Sequence, residues 1–510
     1  MDRMRSRLDE IQIYHKELVE KDNAGIIDDI TWNDLEMDEV FFRINQTKSF
    51  IGEQILYYRL HDVGAEQHWE RFEEQISYLT ENEGVRSKLD KKLSSIGKRE
   101  EDYHLPTFLM HTELWKIECG MWLHVLQLLL AIFLVGSIVF EKDLWTAGLL
   151  GVVIINLVVY LKVKQQYEVL LFSLGSLKEL IKFGKWILDK EEYRQFIHAG
   201  VKKAVEELQP LAKKMFGWQN RKYVAMTGDL AAMLQDYLMG VTLIDVAMFN
   251  HIMRAIHNKQ EKVLLLYEFV GQMDVLISVA SYRKSADKWC LPNIERDMKI
   301  QGRGIVHPLL DNPVGNDFTL ERRAIITGAN ASGKSTFMKA LAVNVILAQT
   351  IHTCVAEYFS MPRLYVMTSM ALRDDILTGE SYYIREVQYL KRMLDGKRED
   401  MATLCVIDEI LKGTNTKERL AASAAILSYL AGTEHFVLIA THDMELVYDM
   451  KEYYEQYFFE SQIEENDICF DYRIRKGIGG KSNAIALLEL LHFPKKIVET
   501  AKQNVRGNKI

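Results

Sequence analysis

A phosphate-binding pattern is the strongest chemical signal in the sequence. From Gly328 the residues read GANASGKS, which matches G-x-x-x-x-G-K-[ST]. The run RRAIIT before it predicts a short strand, and KSTFMKALAVNVILAQ after it has helical periodicity. Backbone N–H groups of such a loop bind phosphate, and the amino end of the helix adds the positive end of its dipole. We predict that Lys334 reaches the β- and γ-phosphates of a nucleotide and that Ser335 binds Mg²⁺.

Two further strand-like runs end in residues that suit nucleotide hydrolysis. TLCVIDE ends in Asp408 and Glu409, and HFVLIATHD contains His442. Ligands of α/β sheets bind at the carboxyl ends of the strands. We predict that Asp408 holds Mg²⁺ through its water shell, that Glu409 polarises the attacking water, and that His442 senses the γ-phosphate. The alternative is a strand end with two solvated acids and a structural histidine.

Length and composition indicate a helix-rich globular chain of several domains. The 510 residues are 48% hydrophobic and 26% charged, and only seven are proline. The net charge of −8 gives no global basic signal for nucleic acid. Acids are in excess over residues 1–119, whereas basic residues are in slight excess over residues 165–300, which include a basic stretch over 178–222. A DNA-binding surface fits the second region better, although solvated helix faces explain most of these charges.

The cysteines and the N-terminus indicate a cytoplasmic chain. Five cysteines are scattered without disulfide or metal-ligand spacing, at positions Cys119, Cys290, Cys354, Cys405 and Cys469. This usage fits a reducing compartment. Cys405 lies in an apolar run and is predicted to be in the core. The start, MDRMRSRLDE, has no apolar stretch, so we predict no cleavable signal peptide.

Two long apolar runs predict a membrane hairpin. Residues 121–140 contain no charge and have the length of ~20 residues that a helix needs to cross a bilayer. Residues 144–163 follow after only EKD, so both termini would lie on one side. Lys116, Lys162 and Lys164 flank the open end and place both termini and the nucleotide-binding part in the cytoplasm, as in a multi-pass protein of the cytoplasmic membrane. The alternative is a buried hairpin in a soluble core, where helices rarely stay apolar on all faces.

Three polar residues, His124, Gln127 and Asn156, lie within the predicted spans. We expect them to form hydrogen bonds across the hairpin or between protomers. A transport pathway is less favoured, because two spans offer few groups to line one.

Several motifs, taken in order, resemble the MutS family of mismatch-repair ATPases. ITGANASGKSTFMKAL, VIDEILKGTNTKERLA and VLIATHDMEL resemble its nucleotide-binding segments. GIVHPLL resembles the family's His-Pro segment, ILTGESYYIREV its Ser loop, and IRKGIGGKSNAIALLELLHFPKKIVETA its closing segment. DEVFFRINQTKSFIGEQILYYRL resembles the start of the helical core, and YEFVGQMDVLISVASY resembles the lever that leads into the ATPase.

The resemblance implies an α/β P-loop ATPase domain of the ABC/MutS type, preceded by an all-α lever and core domain that the transmembrane hairpin interrupts. We divide the chain accordingly into an acidic helical core (1–119), the hairpin (120–164), a helical core and lever (165–300) and the ATPase domain (301–510).

The resemblance also implies roles for individual residues. ATP would be bound by Gly328, Asn330, Gly333, Lys334, Ser335, Thr336 and Ser381. Ser335 and Asp408 would hold Mg²⁺, and Glu409, Lys334 and His442 would be catalytic. Gly413, Thr414 and Thr416 match a turn at the family's dimer interface. Ser381 matches a serine that reaches the partner's nucleotide, so a homodimer would share its ATP sites.

Departures from the family pattern modify these expectations. The chain begins close to the core motif, so we expect it to lack the N-terminal mismatch-recognition and connector domains, and with them direct mismatch reading. Pro313 in NPVGND lies near the place of the family's adenine-stacking aromatic residue, which leaves the base preference open. The hairpin occupies the interval of the family's DNA clamp, and we expect no nuclease-like extension after the closing segment.

The resulting hypothesis is a membrane-anchored, MutS-like ATPase that hydrolyses ATP to ADP and phosphate and acts as a dimeric clamp on DNA. The first alternative is an ABC-like machine that works on a membrane or a protein partner without DNA, although the LSGGQ motif of ABC ATPases is absent. The second is a scaffold that uses ATP-driven closure to hold a partner.

Overall fold

The computed structural model describes most of the 510 residues. The described ranges are 5–20, 25–65, 68–115, 120–140, 142–226, 230–295, 298–329, 332–370, 382–395, 401–411, 415–464, 467–479, 485, 488 and 492–506. They form two compact units. The helical unit comprises Met1–Asn23, Asn45–Tyr58 and His68–Ser281, and the sheet unit comprises Ala24–Ile44, Arg59–Gln67 and Tyr282–Ile510.

The N-terminal half is helical, as predicted. Its α-helices are α1 (Leu8–Ile11), α2 (Ile13–Val19), α3 (Asp29–Asp34), α4 (Met37–Ile44), α5 (Phe50–His61), α6 (Trp69–Glu81), α7 (Glu83–Ser94), α8 (Leu105–Met110), α9 (Gly120–Val139), α10 (Asp143–Leu188), α11 (Ala199–Met226), α12 (Leu230–Val241), α13 (Ile244–His257) and α14 (Gln260–Ser285). Short 3₁₀ helices cover Glu100–His104, Thr112–Trp115 and Glu191–Phe196.

The C-terminal half is mixed α/β, also as predicted. Its strands are β1 (Asn293–Ile294), β2 (Ile300–Ile305), β3 (Asn316–Leu320), β4 (Arg323–Thr327), β5 (Tyr358–Met361), β6 (Leu364–Ser369), β7 (Ala402–Asp408), β8 (Phe436–Ala440), β9 (Glu455–Glu464) and β10 (Asp467–Lys476). Its helices are α15 (Lys334–Thr350), α16 (Tyr382–Asp395), α17 (Thr416–Ala431), α18 (Met444–Asp449) and α19 (Lys495–Arg506).

The main sheet of the sheet unit has the order β10-β9-β4-β8-β7-β6 among the described residues. All neighbouring strands are parallel except β9 and β10. The apolar runs predicted as strands form β4, β7 and β8, whose burial reflects a parallel sheet covered on both faces. Cys405 in β7 is fully buried, as predicted. A smaller sheet has the order β1-β5-β2-β3.

Two N-terminal segments, 24–44 and 59–67, belong to the sheet unit, whereas the sequence placed them in a separate helical core. The reason is the edge strand β6. Thr31 of α3 accepts a hydrogen bond from the backbone N–H of Thr368 at 3.2 Å, and Asp34 accepts one from Met370 N–H at 2.9 Å. These side chains satisfy backbone donors that an edge strand leaves unpaired.

The helical unit centres on α14 and α5. Asp274 of α14 accepts hydrogen bonds from the backbone N–H groups of Lys48 and Ser49, at 2.8 and 2.7 Å, and from Ser49 Oγ at 2.6 Å. Gly52 lies directly against this carboxylate. Burial raises the pKa of Asp274 to about 6. Asp274 thus fixes the start of α5 to the long helix α14.

The two apolar runs form α9 and the first part of α10. Gly136 packs on the Trp145 ring and Gly148 on the Phe133 ring, which lets the two helices approach closely. The second helix does not end at the predicted boundary between residues 164 and 165. It continues unbroken to Leu188 over 46 residues, because the sequence beyond Lys164 contains no proline before Pro210 and keeps strong helix formers.

Three helical segments among the described residues are long and apolar enough to cross a membrane: Met121–Val139, Asp143–Lys164 and Gln260–Ser285. The first two are 11% and 17% buried, whereas the third is 78% buried within the protein. A bent pair, Met233–Val241 and Ile244–His257, would add a fourth span if it were counted as one.

The polar residues within the two runs have other partners than those predicted. Gln127 Nε2 donates to Thr242 O at 3.2 Å, and Asn156 Nδ2 donates to Val241 O at 2.8 Å. His124 Nδ1 lies 3.1 Å from Gln127 Oε1 on the same helix. Gln127 and Asn156 therefore connect the hairpin to the end of α12, because that end carries carbonyl groups without donor partners in their own helix.

Candidate functional site

A cleft of about 560 Å³ opens in the sheet unit, next to the carboxyl end of β7 and the amino end of α15. Its walls come from the segment 305–316, the first turns of α15, the residues after β7, and β9 and β10. Strand β4 leads into it and lies between β8 and β9 in the sheet. Clefts at this edge of a parallel sheet are where α/β proteins bind ligands.

Two glycines shape the loop between β4 and α15. Gly328 has φ +148° and Gly333, the N-cap of α15, has φ +102°, both in the left-handed region that favours glycine. Lys334 is buried, and its Nζ donates to Gly328 O at 2.8 Å and to Ala329 O at 2.9 Å. The ammonium group therefore lies over the loop, where a phosphate would meet it.

Ser335 and Asp408 bring two oxygen ligands together. Ser335 Oγ donates to Asp408 Oδ2 at 2.5 Å. Asp408 is the last residue of β7 and is paired with Ala440 of β8, so the sheet fixes its position. Among the described residues, no group of three or more His, Cys, Asp or Glu side chains is placed to hold a metal ion. One hydroxyl and one carboxylate fit Mg²⁺, which takes its remaining ligands from water and phosphate.

Glu409 and His442 form the second polar pair of the site. Glu409 Oε2 lies 3.1 Å from His442 Nδ1. The backbone N–H of Glu409 donates to Ala440 O at 2.9 Å, and its φ of +62° is in the left-handed region. Few non-glycine residues adopt this conformation, and those that do cluster at active sites, ligand clamps and turns. Asp443 accepts from Arg419 at 2.9 Å and lies 3.9 Å from His442 Nε2.

The structure brings most of the predicted site residues together. The cleft is lined by Gly333, Lys334, Ser335, Thr336, Asp408 and Glu409. Gly328 begins the loop, and His442 joins through Glu409. Thr416 is the exposed first residue of α17. The predicted residues Asn330, Ser381, Gly413 and Thr414 lie outside the described residues.

Tyr472 is a cleft residue that the sequence did not reveal. It lies on β10 between Phe470 and Ile474, where the register with β9 shifts. Such a bulge redirects side chains, and Tyr472 has φ +54° and a half-exposed ring lining the cleft. Asn316 holds the bulge: its Nδ2 donates to Tyr472 O at 2.9 Å, and its Oδ1 accepts from Ile474 N–H at 2.8 Å.

His307 is a second cleft residue, and its motif was noted in the sequence without a role. Burial, with a smaller effect of Lys339, lowers the pKa of His307 to about 4, so the ring is neutral at physiological pH. Nδ1 accepts a hydrogen bond from Leu309 N–H at 3.3 Å. Nε2 is buried without a partner in the described part of the chain.

Part of the chain is similar in sequence to known proteins. Residues 324–507 match the family model MutS domain V. DNA mismatch repair protein MutS of Listeria monocytogenes serotype 4a is 28% identical over 273 residues, which are 51% of this chain and 31% of that protein. The proteins of the same name from Natronomonas pharaonis and Pseudothermotoga lettingae are 30% and 29% identical over 273 and 266 residues.

Residues 324–507 of the chain form a MutS-family domain. The alignments cover about half of this chain and about a third of each MutS relative. The region matched as MutS domain V contains the glycine loop, the Ser335–Asp408 pair, the Glu409–His442 pair and Tyr472. His307 and Asn316 precede it.

Proposed function

We propose that the chain is a Mg²⁺-dependent ATPase anchored in the cytoplasmic membrane, which works as a dimeric clamp on DNA without reading mismatches directly. The ATPase assignment rests on one observation: two pairs of polar side chains lie next to each other at one edge of the main sheet. Ser335 lies 2.5 Å from Asp408, and Glu409 lies 3.1 Å from His442. An arrangement of cation ligands beside a carboxylate base is what phosphoryl transfer to water requires.

The glycine loop would bind the nucleotide's phosphates. The first residues of α15 line the cleft, their backbone N–H groups lack acceptors within the helix, and the helix dipole favours negative charge there. Lys334 would exchange its two loop carbonyl partners for phosphate oxygens. Ser335 and Asp408 would hold Mg²⁺, which neutralises charge on the phosphates when bound.

Glu409 would orient the attacking water. Its carboxylate oxygens accept hydrogen bonds, so one of them can hold the water while Oε2 stays beside His442 Nδ1. The hydrogen bond from Glu409 N–H to Ala440 O fixes the position of the Glu409 backbone relative to the sheet. Aligning the nucleophile in this way lowers the entropic part of the barrier.

Tyr472 would contact the base. Its half-exposed ring lines the same cleft as Lys334 and Ser335. An aromatic ring offers a stacking surface to any nucleobase. The base-binding aromatic would thus come from β10, whereas Pro313 lies on another segment that lines the cleft, 305–316.

The exposed apolar surface of α9 and α10 supports the membrane anchor. Leu128, Val135, Ile138, Leu150 and Ile154 are each more than half exposed. Helix α14 is also long and apolar enough to span a membrane, but it is 78% buried within the protein. A soluble protein rarely exposes apolar surface of this extent. Lys164 lies at the end of the apolar part of α10, where a cytoplasmic flank is expected.

DNA binding and dimerisation rest on the similarity to MutS proteins and on charge. Each of the three relatives is named DNA mismatch repair protein MutS. In the helical unit, α11 exposes four lysines, Lys202, Lys203, Lys213 and Lys214. Lysines on one helix suit phosphate contacts that do not read sequence.

An ATPase assay on detergent-purified full-length protein tests the proposal, with Lys334→Ala as the blank. We expect Mg²⁺-dependent turnover that duplex DNA stimulates and that rising salt suppresses. Turnover equal to that of the Lys334→Ala protein would contradict the ATPase assignment. Stimulation by lipid vesicles but not by DNA would favour the ABC-like alternative.

A further inference from the structure

Helix α12 packs directly on the hairpin. Tyr160 of α10 donates to Asp236 Oδ2 at 2.6 Å, and Gly240 lies against the Tyr160 ring, where a Cβ atom would come within 2.6 Å. Asn156 and Gln127 donate to the carbonyl groups of Val241 and Thr242. The end of α12 is therefore joined to both helices of the hairpin.

These contacts fix the depth of α12 along the hairpin. Gln127 lies about 18 Å from the end of α9 at Val139, and Asn156 lies about 20 Å from the start of α10 at Asp143. The two donors therefore lie at about the same distance from the closed end of the hairpin. This level is about 12 Å along α10 from Lys164, toward the closed end. Because Asp236 pairs near Lys164 and Val241 pairs at Asn156, α12 runs from the open end of the hairpin inward.

The carbonyl groups at the end of α12 all have partners within the protein. Leu238 O accepts from Thr242 N–H and Thr242 Oγ1, and Met239 O accepts from Thr242 Oγ1. Gly240 O accepts from Leu243 N–H, and the next two carbonyl groups accept from Asn156 and Gln127. In water, solvent satisfies the last carbonyls of a helix. In hydrocarbon, every backbone polar group needs a partner from the protein.

The outer face of α12 is apolar. Leu230, Leu234 and Leu238 recur every four residues, so they form one stripe, and each is more than half exposed. The stripe adjoins the exposed apolar surface of the hairpin, on which α12 packs. Asp236 points the other way: it is 3% exposed and lies 3.6 Å from Lys164 Nζ. The acid is thereby paired at the end of the span, where a membrane protein tolerates it.

The chain turns sharply after α12. Leu243 has φ +56°, and α13 leaves at 80° to the preceding helix. Residues 230–241 thus enter the layer occupied by the hairpin without crossing it.

We propose that α12 and the bend at residues 242–244 form a re-entrant element in the cytoplasmic leaflet, with the leucine stripe facing lipid acyl chains. This inference rests on the proposed membrane anchor. The occupant is the bilayer rather than a second copy of the chain, because the stripe continues the hairpin's apolar surface and all the terminal carbonyl groups are satisfied internally.

Photocrosslinking to lipid tests the element separately from the anchor. A benzophenone amino acid replaces Leu238, Leu134 of α9 or exposed Lys203 of α11 in the full chain. Each protein is reconstituted in phosphatidylethanolamine and phosphatidylglycerol vesicles whose acyl chains carry an alkyne tag. We expect lipid adducts at Leu238 and Leu134 and a background level at Lys203.

The outcomes separate the two proposals. Adducts at Leu134 without adducts at Leu238 would overturn the re-entrant element and leave the anchor intact. Adducts at neither position would overturn both. A protein crosslink to a second copy at Leu238, in place of lipid, would also overturn the element.

Gln127 and Asn156, whose side chains donate hydrogen bonds to the end of α12, provide a second readout. The double variant Gln127→Leu, Asn156→Leu removes both side-chain donors and keeps the hairpin apolar. We expect lipid adducts at Leu238 to fall roughly fivefold or more, since two hydrogen bonds hold this end of α12, while adducts at Leu134 stay unchanged. Equal adduct yields at Leu238 in both backgrounds would contradict the assigned docking.

Discussion

Glu409 Oε2 and His442 Nδ1 lie 3.1 Å apart, although the two residues follow different strands, β7 and β8. The backbone bond from Glu409 N–H to Ala440 O extends the pairing of these strands by one residue. The side chains are therefore held in contact by the sheet itself. This makes the pair a unit whose members can be tested together.

Glu409→Gln should abolish turnover while ATP still binds. The amide keeps the shape of the side chain but is a poor proton acceptor, and loss of a general base lowers rates by about 10²–10⁴-fold. We expect kcat to fall within that range and nucleotide affinity to change little. Glu452→Gln, at an exposed position outside the cleft, is the matched control. Unaltered turnover in Glu409→Gln would refute the catalytic assignment.

His442→Ala should have a smaller effect that is not additive with that of Glu409→Gln. If His442 acts only through the Glu409 carboxylate, the double variant should be no slower than Glu409→Gln alone, because residues acting as a unit lose their effect together. The measurement is kcat/KM for all four proteins of the cycle. Multiplicative losses would show that His442 acts independently of Glu409.

Tyr472→Ala should weaken ATP binding more than catalysis. Loss of a base-stacking ring is worth about 1–3 kcal/mol, so we expect KM for ATP to rise about fivefold or more. Tyr472→Phe keeps the ring and should resemble the original protein. Tyr453→Ala removes an exposed ring that does not line the cleft and serves as the control. A normal KM in Tyr472→Ala would exclude the stacking role.

Acid should destabilise the sheet unit through His307. Its pKa is lowered to about 4 in the folded state, whereas an exposed histidine titrates near ~6.5. The unfolded state therefore binds more protons than the folded state between these values. The free energy of unfolding falls as the pH is lowered from about 6.5 to about 4, by up to ~1.4 kcal/mol per pH unit. Above this window, the contribution no longer depends on pH.

Urea unfolding of His307→Gln checks this sign. The variant should lose less stability than the original protein between pH ~7.5 and pH ~5, whatever its stability at the higher pH. His198→Gln, at an exposed position, should keep the original pH dependence. Identical pH dependence in His307→Gln and the original protein would disprove the linkage.

Gly52→Ala should destabilise the protein, whereas Gly84→Ala should not. A Cβ atom at Gly52 would lie 2.3 Å from Asp274 Oδ2, so the carboxylate must move away from its partners at Lys48 and Ser49. We expect a loss of about 1–3 kcal/mol in the free energy of unfolding. A Cβ atom at Gly84 meets open space, and alanine should be neutral or stabilise by up to about 1 kcal/mol. Thermal unfolding of both variants measures the difference.

The sequence was most informative where function depends on residues close together in the chain. The glycine loop, the strand ending at Asp408 and the strand before His442 were all predictable, because each is a short apolar run that ends in polar residues. Tyr472 was not predictable, since its orientation depends on a bulge that Asn316 holds from another strand. Local patterns contain no information on that contact.

Contacts between residues far apart in the sequence also explain the remaining differences between the predictions and the structure. The segment around Thr31 and Asp34 is a short helix in sequence, and only its hydrogen bonds to β6 reveal that it belongs to the sheet unit. Asp236 interrupts the apolar run of α12, and only the fold shows that Tyr160 and Lys164 satisfy it. The partners of Gln127 and Asn156 on α12 were not predicted for the same reason.

The unbroken length of α10 has a mechanical consequence. From Lys164 to Leu188 the helix extends for about 36 Å beyond the end of its apolar part. With the proposed bilayer ending near Lys164, the far end of α10 stands at a height set by covalent geometry rather than by a flexible tether. A tilt of the helix within the lipid would therefore sweep its distal end sideways. A change in the lateral pressure or thickness of the membrane would therefore change the position of this end of α10 within the helical unit.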